Sequence, residues 1–497
     1  MMTNWGRALL MGVAALGLAS CAKTPLATAP APERAAIESA LMRDISVLAS
    51  DEYGGRRPGT PGEALTTTYI AEQMEAAGLV SGTNDPGSAW LAPVELVSSQ
   101  ALESSLTLRT NAGEFVVPEE SAAAFAGSRR ALIDGVDVVY VGKESESVDP
   151  KVIAGKIVIM LGEPGVSPRR RATLFEADPA AIITVVEHDD AIANTRRFLG
   201  RERLRLAEEE TNRLTAFIAT PVMEEAFPDG TWSALVEAAD QDGFEPHALE
   251  ATIAIDARSA RREFASNNVL GLLPGARPDA GAVLLLAHWD HLGECGSPSE
   301  NGEAGDLICN GAIDNASGIA VMLELSRRLA ASGPHDRDIY VLATTAEEAG
   351  LLGARAFIEQ PPFPLDSIVA AFNFDTVAVA PAGSSVGFVG EGRTAIDGII
   401  LETLRDSGRE LGNKEFAESF VRRQDGWVLL EQGVPAVFLS TAFGSEIVLG
   451  PYLQSDYHRP SDEIERIELG GAIDDLLLHE ELVKRVANVE TYPAGAQ

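Results

Sequence analysis

Cysteine is scarce: the 497 residues include only Cys21, Cys295 and Cys309. That is too few, and too scattered, for a thiolate metal site or an iron–sulfur cluster. Basic residues are also sparse, with 39 Lys and Arg against 74 Asp and Glu, giving a formal charge of −35. Binding of nucleic-acid phosphates needs clustered Lys and Arg, so no nucleic-acid partner is expected. The one basic run, Arg169-Arg170-Arg171, reads as a solvated loop or helix start. Beyond the amino terminus no stretch is long and apolar enough to cross a bilayer, and there is no internal repeat. What remains is an acidic chain with apolar residues enough for real cores and a length suited to about two domains. Its acidity favours solubility and mildly attracts peptides bearing a free amino terminus.

The chemistry lies in the second half. Val283-Leu284-Leu285-Leu286-Ala287 ends in His288-Trp289-Asp290-His291. A short all-apolar run reads as a parallel strand buried on both faces. Open α/β sheets place ligands at the carboxyl ends of such strands. The pattern recurs: Ile339–Ala343 runs into Glu347 and Glu348, and Ile368–Phe372 into Asp375. Asp314 opens a helix whose apolar residues, Ile319, Met322, Leu323 and Leu329, fall at helical spacing, and His458 follows late. Two His and several carboxylates suit zinc, or cobalt or manganese in its place. Five ligands are too many for one catalytic zinc but enough for two ions that share a carboxylate. His291 reads as structural.

These segments resemble the two-zinc exopeptidases of clan MH. That group includes bacterial leucyl-type aminopeptidases, glutamate carboxypeptidases, glutaminyl cyclases and the non-catalytic transferrin receptor. The resemblance rests on His288–Gly293, Asn310–Gly318, Thr345–Gly353, Asn373-Phe374-Asp375 and Asp456–Asp462 in the required order, with Asp51–Thr60 as an earlier segment. It implies that His288 and Asp375 hold one zinc, Glu348 and His458 the other, and Asp314 bridges. Glu347 becomes the general base, Asp290 orients the His288 imidazole, and Tyr457 donates to the oxyanion. It also implies a cis peptide at Asp314–Asn315. Where many relatives carry Ser-Asp-His near the substrate pocket, this chain has Arg423-Gln424-Asp425-Gly426-Trp427, keeping Asp425 alone as a substrate-pocket candidate. The implied activity is removal of an amino-terminal residue from peptides. A carboxypeptidase, with Arg422 and Arg423 for the substrate carboxylate, and a glutaminyl cyclase-like aminoacyltransferase stay open.

The expected fold is a mixed, largely parallel sheet sandwiched by helices, interrupted by an inserted β-rich domain. Arg7, the apolar stretch Ala8 to Ala19 and Leu18-Ala19-Ser20-Cys21 resemble a bacterial lipoprotein signal. Residues 1–20 would be removed, Cys21 lipidated as a membrane anchor in the cell envelope, and residues 21–35 would form a tether. Residues 36–104 and 263–492 form the catalytic domain, with a first helix near Ala64 to Ala77 capped by Gly78. Residues 105–262 resemble a protease-associated insertion, with Asp137–Gly142 and Gly155–Met160 its clearest strands. Outside the cytoplasm Cys295 and Cys309 are expected to form a disulfide that pins the polar loop between His288 and Asp314.

Overall fold

Four short runs, Ala282–His288, Asp338–Thr344, Ile368–Asn373 and Ala436–Ser440, are apolar almost throughout. In the computed structural model they lie side by side and parallel in mid-sheet. The structure describes residues 29–493 except 86, 88, 144–147, 164–165, 210–212, 242 and 297–304. The signal segment and Cys21 therefore lie outside the described residues. Both faces of these strands are covered, which is why their sequences do not alternate. Val283, Leu285 and Ala287 join the core under helices Ala31–Leu48, Ser317–Ser332 and Leu469–Val486. Leu284 and Leu286 point the other way, toward Phe357 and Leu429 of helices Leu352–Glu359 and Gly426–Glu431. The edges are antiparallel: Gly387–Val389 on one side, and Val269 to Leu273 against Asp338–Thr344 on the other. This is the mixed, largely parallel sheet between helices that the sequence led us to expect.

Register carries this into function. His288 sits opposite Thr344, and Leu286 opposite Asn373. The carboxyl ends of the central strands are therefore level, and the loops bearing His288, Glu347 and Asp375 emerge along one edge.

Two long strands lead to the inserted unit. Leu91–Thr110 and His247–Leu273 pair antiparallel along nearly their whole length, with Ser98 opposite Arg262 and Ser105 opposite Asp256. The boundaries expected at 104/105 and 262/263 thus fall inside one continuous ladder, because paired strands do not change texture where one core ends and the next begins. Beyond them, Arg130–Tyr140, Ile157–Leu161, Ala181–Val186 and Leu214–Ala219 form a parallel sheet around a second core. Helices Ser167–Phe175 and Asp189–Leu199 alternate with these strands, so the insertion is α/β rather than simply β-rich. The tether is also shorter than 21–35. A helix begins at Ala31, with proline in its first turn, and buries Ile37, Leu41, Ile45 and Leu48 on the core beneath the central strands. The next helix runs Pro61–Ala76, and Gly78 follows with φ of 89°.

Between those helices, Arg56 is buried and donates to four main-chain carbonyls. Nε reaches Trp289 O at 2.8 Å, Nη1 reaches Leu48 O at 2.8 Å and Asn310 O at 2.5 Å, and Nη2 reaches Gly311 O at 2.9 Å. One guanidinium thus ties the first helix to the loops after His288 and before Asp314. Gly55 beside it is obligatory in size, since a Cβ there would lie 2.5 Å from Cys309 O.

Candidate metal centre

His288 ends its strand with Nδ1 3.1 Å from the carbonyl oxygen of Asp290. That contact turns Nε2 outward, 3.2 Å from Asp314 Oδ1 and 3.6 Å from Asp375 Oδ1. The other oxygen of Asp314, Oδ2, lies 3.4 Å from His458 Nε2, which is 2.9 Å from Glu348 Oε2. Glu348 Oε1 meets His291 Nδ1 at 2.7 Å. Two trios of ligand atoms result, His288–Asp314–Asp375 and His291–Asp314–Glu348, each drawn within 4.8 Å. They share Asp314, and His458 closes over the second. His291, expected to be structural, thus joins the cluster.

The set suits bound cations. Among the described residues, no Lys or Arg pairs with Asp314, Glu347, Glu348 or Asp375, and burying anions without compensation is costly. His458 Nε2, which faces Asp314 and Glu348, is buried without a well-directed hydrogen bond, as befits a ligand atom. The donors are imidazole nitrogen and carboxylate oxygen, the chemistry of zinc, cobalt or manganese.

Adjacent carboxylates are driven apart. Burial alone would raise Glu348, but His291 and His458 pull it down to about 2. Burial holds Glu347 well above the ordinary carboxylate range, with Glu348, Asp425 and Asp375 adding to the shift against the opposing pull of His288. One neighbour is thus suited to hold charge and the other to carry a proton.

Asn315 and Asp462 hold the ligands in place. Asn315 Nδ2 donates to the carbonyls of His288 at 3.3 Å and Phe374 at 2.9 Å, and its Oδ1 accepts from Thr376 N at 3.2 Å. It therefore clamps the segments bearing His288, Asp314 and Asp375 together. The Asp314–Asn315 peptide is cis. Asp462 accepts from the amides of Ile313 at 2.9 Å and Asp314 at 3.1 Å, and Tyr452 Oη donates to it at 3.0 Å. Sequence reasoning gave neither residue a role. Both lie inside the quoted motifs, and that adjacency was the only signal.

Two expectations shift in detail. The Asp290 carboxylate is 3.8 Å from His288 Nδ1, farther than its own carbonyl, and Oδ1 instead accepts from the Glu347 amide at 2.9 Å. It anchors the base more than the imidazole, because the turn after His288 brings the main chain closer. Asp425 is buried, accepts from Thr344 Oγ1 at 2.5 Å and does not line the substrate-sized spaces; Arg423 and Gln424 line the small one instead. Burial raises Asp425 to about 6. Tyr457 stacks on the His458 ring, centroids 3.7 Å apart, and burial first, then Asp314, Glu348 and Asp375, keep its hydroxyl protonated. The small cavity, about 40 Å³, has Glu347, Asp375 and Tyr457 beside Phe420, Phe438 and Leu453. Cys295 and Cys309 are joined, Cα atoms 5.8 Å apart, and Cys295 Sγ lies 3.8 Å from the His458 carbonyl.

The pattern of peptidase family M28 matches residues 268–475, which contain this whole cluster. Residues 268–475 are thus similar to peptidase family M28. Within reach of that M28 segment are two curated relatives. Aminopeptidase YwaD of Bacillus subtilis is 29% identical over 207 residues, 41% of this chain and 40% of that protein. The alkaline phosphatase isozyme conversion protein of Escherichia coli is 31% identical over 105 residues, 21% of this chain and 30% of the relative. The matches span less than half the length of either relative. Among solved structures, an aminopeptidase from Aneurinibacillus sp. strain AM-1 shares the fold over 92% of this chain and 95% of its own, with TM-score 0.55 and 18% identity. Because Asp314 faces His288 with Oδ1 and His458 with Oδ2, Asp314→Asn is expected to weaken both halves of the cluster together. Metal analysis after dialysis should show bound metal falling toward none; retention of one full equivalent would contradict a shared ligand.

Proposed function

We propose that this protein is a zinc-dependent aminopeptidase that hydrolyses the amino-terminal residue of peptides at a two-metal centre. The observation that carries the reading is the splitting of Asp314, whose two oxygens face different histidines, His288 and His458, at 3.2 and 3.4 Å. His288 and Asp375 would hold one ion, Glu348 and His458 the other, with Asp314 between; cobalt or manganese suits the same donors. His291 occupies the second oxygen of Glu348 and so turns Oε2 toward the shared site.

Bound in pairs, such ions polarise a carbonyl and lower the pKa of water. The residues do the rest. Glu347, raised by burial and facing the small cavity, takes the proton of the attacking water and passes it to the departing amine. The Tyr457 hydroxyl, kept protonated, donates to the developing oxyanion. Phe420, Phe438, Phe443 and Leu453 give the small cavity an apolar wall for the first side chain. The negative lining favours a substrate with a cationic amino terminus. Arg423 on the same cavity keeps a carboxypeptidase reading open, since it offers a partner for a substrate carboxylate.

We propose further that Cys21 anchors the protein in a bacterial envelope; Cys21→Ser should then move it from the membrane to the soluble fraction, and an unchanged membrane fraction would refute the anchor. For the chemistry, Glu347→Gln should retain bound metal while kcat on an aminoacyl anilide falls roughly 10²–10⁴-fold. The amino-acetylated counterpart of a good peptide substrate should be inert to the unaltered enzyme. Near-normal kcat in Glu347→Gln would remove the base assignment. Cleavage of blocked peptides from the carboxyl end would favour the carboxypeptidase reading.

A further inference from the structure

A second, larger cavity of about 780 Å³ opens between the catalytic sheet and the inserted unit. Asp290, His291 and Glu348 of the metal centre form part of its wall. Glu347 lines the small cavity and Glu348 the large one, so the metal centre stands between the two. A peptide held there with its first side chain in the 40 Å³ apolar cavity has the large cavity as the space for its remainder. That volume falls in the range that encloses a drug-sized ligand, which is room for a few residues.

The charge of this cavity runs against that of the protein. In a chain of net charge −35, five arginines line it: Arg57, Arg171, Arg203, Arg205 and Arg213. Glu202 also lines it and is held by Arg57 at 2.5 Å. Arg205 Nη2 donates to Ser99 Oγ at 3.2 Å. Among the described residues Arg171, Arg203 and Arg213 pair with no carboxylate. Their guanidinium groups instead lie over phenylalanine rings: Arg171 over Phe217 at 5.1 Å, Arg203 over Phe198 at 5.5 Å and Arg213 over Phe175 at 5.1 Å. Stacking fixes the planes of these cations; Arg171 Nη1 donates to Thr184 Oγ1 at 3.2 Å, and the remaining N–H edges can meet a ligand. Burial lowers Arg171 and Arg203, and Arg205 adds to the shift at Arg203, as for cations short of an anionic partner. Where this unit needs an ion pair to seat it on the catalytic domain it has one, Glu209 with Arg355. The three stacked arginines serve no such contact.

We propose that this arginine-lined cavity binds a carboxylate of the peptide beyond the scissile bond, so that the enzyme prefers short peptides with a free carboxyl terminus or peptides with Asp or Glu after the first residue. The proposal rests on the aminopeptidase reading. A fixed-sign cleft with low-dielectric walls concentrates ligands of the opposite sign, and planar guanidinium groups suit carboxylate oxygens.

The test uses the full chain with metal bound and substrates that share an amino-terminal leucine: the anilide, Leu-Gly-Gly, its carboxamide, and the carboxamides of Leu-Asp-Gly and Leu-Lys-Gly. We expect kcat/KM for the free acid, the Asp peptide or both to exceed that of Leu-Gly-Gly carboxamide roughly ten- to hundredfold. The Lys peptide should be poorest, and the preference should shrink at high salt. A preference for the free acid alone identifies the terminal carboxylate as the ligand; a preference for the Asp peptide alone identifies the side chain. In the double variant Arg171→Gln/Arg203→Gln the ratio should fall toward one, with part of it retained in Arg203→Lys. Equal rates for acid, amide, Asp and Lys peptides alongside good turnover of the anilide would overturn the proposal and spare the aminopeptidase reading. So would a double variant that keeps the full ratio. Failure to cleave any of the free-amine substrates would defeat that reading, and this proposal with it.

Discussion

Four carboxylates, Asp314, Glu347, Glu348 and Asp375, converge at the edge of a buried sheet with no Lys or Arg paired to them among the described residues. Charges of one sign removed from water need compensation close by, and histidine alone supplies it only while protonated. Much of the surrounding structure is placed by that need. Asn315 fastens three ligand segments to one another, Asp462 fixes the backbone around Asp314, and Arg56 ties the loops on either side to the first helix. These polar groups are themselves buried, so each is satisfied mainly by main-chain partners that cannot drift. The rigidity this gives suits a centre in which one carboxylate faces two histidines, because small errors in ligand position are costly.

The parts legible in the sequence are those whose physics is local. Val283–Ala287 reads as a buried strand because both faces are covered, and His288 follows it at the end where ligands gather. Glu347 and Glu348 are legible as a pair but not in their roles, which come from the burial of one and the two histidines on the other. His291 looked structural because only the fold brings it within 2.7 Å of Glu348, 57 residues away in sequence. Asp425 looked like a pocket residue because its place in the motif says nothing of the hydrogen bond to Thr344 that turns it inward. The boundaries of the insertion fall inside two continuous strands, where no Pro or Gly marks them.

The arginine-lined cavity shows the same division more sharply. Arg171 stands in the only obvious basic run, which by itself reads as a solvated helix. The other arginines are spread from Arg57 to Arg213 without a pattern. They meet only because strands Leu91–Thr110 and His247–Leu273 carry the inserted unit out and back over the metal centre. The insertion and the catalytic sheet thus build different halves of one working surface, the sheet supplying acidic ligands and the insertion supplying cations.

A pair of metal ions shared through Asp314 would be seen in anomalous diffraction from crystals of the zinc-loaded protein at the zinc edge. Two peaks are expected about 3.5–4 Å apart, one on each side of the Asp314 carboxylate. One should contact His288 and Asp375, and the other Glu348 and His458. A single peak under zinc saturation, or peaks that do not contact Asp314, would contradict it.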